Sequence, residues 1–337
     1  MSLTTHHLYF QATAATPVEL DEQAGSQVRG ALVGALWERF CTNKAAPSCA
    51  CCPLLTACPV ATLVAPMREA GETGGEQRPR PYVVRPPAGQ RYEPGEPLAF
   101  GLVLVGPAAQ LFPYVVMAVH EVERQGIGRP LHANAGRRGR VSVDGIMAVN
   151  PLTGEELVLF RHGERQVRSP GLPIGTVEVT THAAALSADR LTLRFRTPLR
   201  LIEQERLVRV FEPRPFVQRL AWRLDELGRA YGDGPLVHDR AVLAEAAAAV
   251  QVIDDCTRWV DVVSYSSRTR QRTPIGGLVG SVTLAGDLAP LRELLVWGSL
   301  VHVGKNAVKG DGWYEIGVIE HAHTVPADTL SHRASHV

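Results

Sequence analysis

The chain has 337 residues, 45% of them hydrophobic and 20% charged, with a formal net charge of +1. That excludes an intrinsically disordered chain and suits two domains of ordinary size. It also excludes a whole-protein field that would draw in a polyanion, so any basic surface must be local.

The start, MSLTTHHLYF, lacks a basic n-region and an apolar h-region, and no run approaches the roughly 20 apolar residues of a membrane span. A cytoplasmic protein without a membrane partner is expected, and its cysteines are not expected to form structural disulfides. Residues 7–14 read as a strand that breaks at Pro17. Residues 26–40 place Val28, Leu32, Ala35, Leu36 and Phe40 near a 3.6-residue period, which predicts a helix with Ser26 as its N-cap. Cys41, Cys49, Cys52 and Cys58 follow with the spacing C-x7-C-x2-C-x5-C, leaving Cys51 spare. Four thiolates can hold zinc tetrahedrally, and they can equally carry an iron–sulfur cluster. A loop of reduced cysteines acting as small hydrophobes is the alternative. Cys256, alone before a strand, reads as a core residue.

Residues 68–97 read as loop apart from a short strand at 82–84. A strand at 98–106, a helix at 109–126 with Pro113 in its first turn, and strands at 139–149 and 156–161 complete a β-α-β-β-α-β order. Residues 166–188 read as a linker. The pattern then restarts, with a strand at 190–201, helices at 214–232 and 239–253, strands at 257–267 and 276–286, a helix at 289–303 and a strand at 312–320. The expected class is therefore α+β, with tandem ferredoxin-like (βαββαβ) domains over residues 1–165 and 189–321 and a disordered tail over 322–337.

Chemistry concentrates in three stretches. The chain has three lysines against 32 arginines, and two of the three, Lys305 and Lys309, fall in LVHVGKNAVKGDGWYEI beside Gly304, Gly310 and Gly312. Glycine lets backbone approach a phosphate, and lysine supplies a point charge. The order is not that of a P-loop, because here the helix precedes the lysine. A plain helix-to-strand turn with solvated lysines is the alternative. Residues 264–277 hold Arg268, Arg270 and Arg272 without an acid, at the tip of an expected hairpin where Tyr265 could stack on a base. Residues 124–140 are also acid-free and include Arg137, Arg138 and Arg140. Three such stretches in a nearly neutral chain point to nucleic-acid binding.

No GxSxG, HExxH or GxGxxG signature and no paired acidic cluster is present. A nuclease built from this chain would therefore use general acid–base catalysis, for which His302, Lys305 and Tyr265 have suitable chemistry.

The same residues carry a resemblance. YSSRTRQRTPIGGLVGSVTL, LLVWGSLVHVGKNAVKGDGWYEI, VRGALVGALWERFC with its following cysteines, and GIGRPLHANAGRRGRVSV together resemble the CRISPR-associated pre-crRNA-processing endoribonucleases. These form the sixth Cas family of the RAMP superfamily, and the cysteines resemble a cysteine-containing subgroup. The resemblance implies tandem ferredoxin-like domains and cleavage of CRISPR repeat RNA by the 2′-hydroxyl. No cofactor would serve catalysis, and the product would carry a 2′,3′-cyclic phosphate. It also implies retention on the crRNA beside other Cas subunits. Gly304, Lys305, Gly310 and Gly312 match the family's glycine-rich loop, and Arg268 with Gly276–Gly277 matches its hairpin segment. Val308-Lys309 and Asp311 depart from it. His302 is the expected acid or base, Lys305 the phosphate stabiliser, and Cys41, Cys49, Cys52 and Cys58 the ligands of a structural zinc or iron–sulfur centre. The alternative reading is a catalytically inactive RNA-binding RAMP subunit.

Overall fold

The computed structural model describes residues 3–68, 77–164, 166–237, 239–266 and 271–317. In the first half the elements are β1 (Thr5–Ala14), β2 (Val18–Glu19), α1 (Ala24–Phe40), α2 (Pro59–Val64), β3 (Tyr82–Arg85), β4 (Arg91–Tyr92), β5 (Pro97–Val105), α3 (Phe112–Gln125), β6 (Ile127–Leu131), β7 (Arg137–Gly139), β8 (Val141–Val149) and β9 (Glu156–Arg161). From Leu8 onward β1 alternates inward and outward residues, as a strand with one covered face must, while Thr5 and His7 at its start are buried on the other face. The sheet order is β3-β5-β1-β8-β9, with every pair antiparallel. With α1 joining β1 to β3 and α3 joining β5 to β8, this is a ferredoxin-like unit with β9 added at one edge. Phe10 stacks on Phe100 across the central pair at 4.8 Å.

The second half contains α4 (Thr176–Ala185), β10 (Arg190–Leu199), β11 (Leu201–Glu203), β12 (Arg206–Val208), α5 (Pro213–Tyr231), α6 (Arg240–Ala249), β13 (Gln251–Asp255), β14 (Arg258–Val260), β15 (Val263–Ser266), β16 (Gln271–Pro274), β17 (Gly277–Ala285), α7 (Arg292–Val301) and β18 (Tyr314–Gly317). Its sheet runs β13-β17-β10-β18, with β14 also on β17. α5 and α7 are the two crossover helices, so the ferredoxin-like order repeats. Its core centres on Phe195, Phe211, Phe216 and Tyr314, whose rings pack at 5.3–5.9 Å.

Four sequence expectations are corrected. The segment read as a linker contains α4, and its Val179 and Ala183 belong to the second core, so that segment is part of the second unit. The helix expected to reach 253 stops at Ala249, and Gln251–Asp255 instead pairs along β17. All five residues of that edge strand are exposed, so no burial periodicity marks it as β. Ser26 lies inside α1 rather than capping it, because Asp21 accepts the Gln23 and Ala24 amides and starts the helix earlier. Cys256 is exposed rather than core. The expected tail, residues 322–337, lies outside the described residues.

The two units are in contact. Val83 and Val103 of the first sheet pack on Ala307 of the second unit. Arg85 donates to the Ser299 carbonyl at 3.2 Å, Tyr231 donates to the Pro79 carbonyl, and Arg68 pairs with Glu226 at 2.5 Å.

Candidate functional site

α7 ends at Val301, and the chain reverses through His302, which takes φ 61° and donates its amide to the Gly298 carbonyl at 2.9 Å. The following loop needs left-handed backbone at Gly304, Asn306, Gly310 and Gly312. At Gly312 a Cβ would lie 1.8 Å from the Val303 carbonyl oxygen. At Gly310 it would meet Pro86 and the Val84 carbonyl at 2.8–2.9 Å. α1 makes the matching approach, since a Cβ on Gly25 would sit 1.8 Å from the Lys309 carbonyl oxygen. The glycines therefore allow the loop to wedge between the units.

This corrects the expected phosphate cradle. The amides of Lys305, Lys309, Gly310 and Gly312 are all donated within the protein, to Arg200, Asn306, Ala307 and Pro198. Gly310 and Gly312 are buried. What the loop presents outward is side chain: Lys305 is exposed and Lys309 half-buried. Burial lowers the Lys309 pKa, and the nearby Arg29 and Arg80 lower it further while Asp311 opposes them. Asp311 is itself pushed up to about 7 by burial, against a hydrogen bond from Asn306 and the charges of Lys309 and Arg200. Arg29 is fixed on α1 by donation to the Tyr82 hydroxyl at 3.1 Å. A cationic group thus gathers where α1 meets the loop, and Arg29 and Arg80 are members that sequence spacing did not reveal.

His302 stands elsewhere. Its side chain is 0% exposed, and its ring is stacked with that of Trp313 at a centroid distance of 6.1 Å. Burial holds its pKa well below the usual imidazole value, with the Arg85 and Arg223 charges adding to the effect. Arg85 lies over the opposite partner of that stack, 5.2 Å from the Trp313 centroid. An enclosed, neutral imidazole cannot reach a ribose hydroxyl in this arrangement. The proton-transfer role expected of His302 therefore gives way to one of packing at the domain junction.

The arginine ribbon is a hairpin of its own, so Arg272 lies on strand β16 rather than at the tip of the expected hairpin. β15 pairs with β16, placing Tyr265 opposite Arg272 and leaving Arg272 exposed. Arg268 and Arg270 lie outside the described residues. The ribbon and the glycine-rich loop share one anchor. Lys305 donates its amide to the Arg200 carbonyl at 3.0 Å, and Arg200 Nη1 donates to the Gly276 carbonyl at 2.9 Å. Gly277 packs so closely on Leu199 that a Cβ there would be 2.4 Å from the Leu199 carbonyl oxygen. Arg137, Arg138 and Arg140 are exposed on and beside the β6–β7 hairpin. A Cβ at Gly139 would strike Pro17 and Val18, so that hairpin seats on β2, just ahead of α1.

The cysteine lobe has an ordered pattern. No residue from 41 to 58 is buried, yet Cys41, Cys49, Cys52 and Cys58 are each partly shielded while Cys51 is exposed. The Cys52 amide donates to the Cys49 carbonyl at 3.1 Å across a 3₁₀ turn, which sets those two side chains on one side. Among the described residues, no three ligating side chains gather at a common metal position.

Comparison with known families settles the affiliation. A family model described as an N-terminal domain matches residues 3–172, and the model of the CRISPR-associated endoribonuclease Cas6 matches residues 193–314. Residues 193–314 thus belong to the Cas6 family. No curated protein sequence matches it. Among solved structures, a Cas6 product complex superposes with a TM-score of 0.54 at 16% identity, covering 93% of this chain and 99% of that one. Cas6 from Thermus thermophilus gives 0.51 at 15% identity, covering 94% and 99%. A partial Cas6-RT-Cas1–Cas2 complex gives 0.60 at 13% identity over 96% of this chain, which spans 48% of the length of that one. At these identities the structural likenesses establish a shared fold. Among the described residues no helix is long and apolar enough to cross a membrane.

Proposed function

We propose that this chain is an endoribonuclease that cleaves CRISPR repeat RNA without a catalytic metal. The observation that carries the reading is the common anchor at Leu199–Arg200, which brings the lysine-bearing loop to the root of the arginine ribbon. An RNA strand held by the ribbon would pass the loop and the neighbouring cations Lys309 and Arg29. There the 2′-hydroxyl gives its proton to solvent and attacks the adjacent phosphorus, forming the O2′–P bond as the P–O5′ bond breaks. The 5′ oxygen leaves with a proton, and the product carries a 2′,3′-cyclic phosphate. Lys309 and Arg29 are placed to stabilise the phosphorane, as fixed cations in a partly desolvated site do most effectively. Lys305 extends that charge outward, and Tyr265 on the ribbon remains the proposed proton donor or stacking partner. Retention of the product and assembly with other Cas subunits belong to the same proposal.

Incubation of the full chain with labelled repeat RNA in EDTA tests it. Cleavage should persist, and a 2′-deoxy substitution at the scissile nucleotide should abolish it. The enclosure of His302 favours the second reading, an RNA-binding subunit without cleavage. Bound but intact RNA would establish that reading instead.

Cys41, Cys49, Cys52 and Cys58 are further proposed as ligands of a structural zinc or iron–sulfur centre, for which the lobe would have to tighten. Their shared shielding supports this. Elemental analysis combined with a thiol count tests it: a bound centre leaves only Cys51 and Cys256 reactive in the native chain.

A further inference from the structure

Trp259 on β14 has an arginine at each of two ring contacts. The Arg209 guanidinium lies 4.7 Å from its ring centroid, and that of Arg200 lies 5.9 Å away. The ring is itself fixed by donation from Nε1 to Asp261 at 2.8 Å. Trp259 pairs in register with Leu278 on β17, so the ring stands on the same sheet that carries the ribbon's root.

Other exposed arginines are used differently. Arg206 is neutralised by Glu203 and Glu212, and Arg129 by Glu19 and Asp21. Among the described residues Arg209 makes no ion pair, and Arg200 spends one nitrogen on the Gly276 carbonyl. A guanidinium resting on an aromatic ring uses its face. Its N–H edges stay available for a bidentate acceptor, and its rotamer freedom is already reduced. That geometry selects a phosphodiester oxygen pair over a single carbonyl. Arg209 is exposed, and Lys305, also exposed, joins the Arg200 backbone directly.

We infer that Arg209 and Arg200, ordered by Trp259, form a phosphodiester-binding site that carries the RNA backbone from the arginine ribbon to the glycine-rich loop. Arg209 binds the phosphate and Trp259 positions it. The inference rests on the RNA-binding reading and adds a specific contact to it.

The test measures binding of single-stranded repeat RNA to the full chain across a salt series. Arg209→Ala should weaken Kd by about tenfold, the scale of one charge-assisted hydrogen-bonded contact. It should also reduce the slope of log K against log salt by about 0.7. Arg209→Lys should restore the slope but not the full affinity, because charge returns without the fork. Trp259→Ala should match Arg209→Ala, and Trp259→Phe should recover most of the affinity, whereas a general folding defect would not distinguish those two. Variants with wild-type affinity and slope, against a wild type that binds RNA salt-dependently, overturn the site alone. A wild type with no salt-dependent RNA binding overturns the functional reading itself.

Discussion

At the scale of single residues, the two lysines of one loop have separate environments. Lys305 is solvated, whereas Lys309 is half-buried against Arg29 and Arg80. Lys309→Ala is expected to lower the single-turnover cleavage rate by about 10²-fold with little change in RNA affinity, as loss of a transition-state cation does. His302→Ala, in contrast, should act first on stability, which a denaturant titration reads. Buried His302 and His7 both have lowered pKa values, with burial as the main cause and Arg85 the next. Their unfolded forms take up protons below about pH 6.5 while the folded forms do not, so their contribution is present above that pH and lost as pH falls. Asp311, raised to about 7, works in the opposite direction: its folded form holds a proton that the unfolded form releases, so stability from this group falls as pH rises towards 7. Denaturant midpoints measured from pH 7 down to 5 should decline less steeply for His302→Gln than for the parent. For Asp311→Asn they should decline more steeply.

Secondary-structure elements act here through how closely they approach. α1 touches the loop through Gly25, where an added Cβ would stand 1.8 Å from the Lys309 carbonyl oxygen. Gly25→Ala should therefore displace Lys309 and reduce cleavage several-fold although no charge is removed, whereas Gly30→Ala, with nothing within 4 Å of its Cβ, should be silent. Parallel cleavage assays and Tm measurements separate the two. The ribbon contributes charge rather than packing. Replacing Arg268, Arg270 and Arg272 together with alanine should reduce the RNA salt slope by about two units if each contacts a backbone phosphate. Unfolding free energy should change little, because Arg272 is exposed.

For the whole molecule, the loop makes two ferredoxin-like units into one surface. Arg85 crosses the junction to Ser299 and lies over Trp313, and its pKa is lowered to about 10 by burial, so it stays charged at neutral pH. Removing a buried, hydrogen-bonded cation at a junction costs more than removing an exposed one. Arg85→Ala should lower Tm and broaden the unfolding transition, with calorimetry resolving two steps where the parent gives one. Bound RNA should narrow that transition again if it bridges both units.

Much of this was legible without coordinates, and the limits have physical causes. The β-α-β-β-α-β order repeats because alternation at β1 and β10 and helical periods at α3, α5 and α7 are local signals, written by which face each element buries. The basic stretches were likewise visible as runs of arginine and lysine without acids. Arg29, Arg80, Arg200, Arg209 and Trp259 carried no such mark, since each is distant in the chain from the groups it meets. The histidine beside the loop looked suited to proton transfer because residue type and neighbours are sequence properties. Its enclosure is not, and depends on Trp313, Arg223 and the opposing unit closing around it. Local patterning thus determined the elements, their order and the kind of ligand the surface suits. Only tertiary packing decided which cations gather beside the loop and which amides are already satisfied, because burial and long-range proximity arise when distant segments meet.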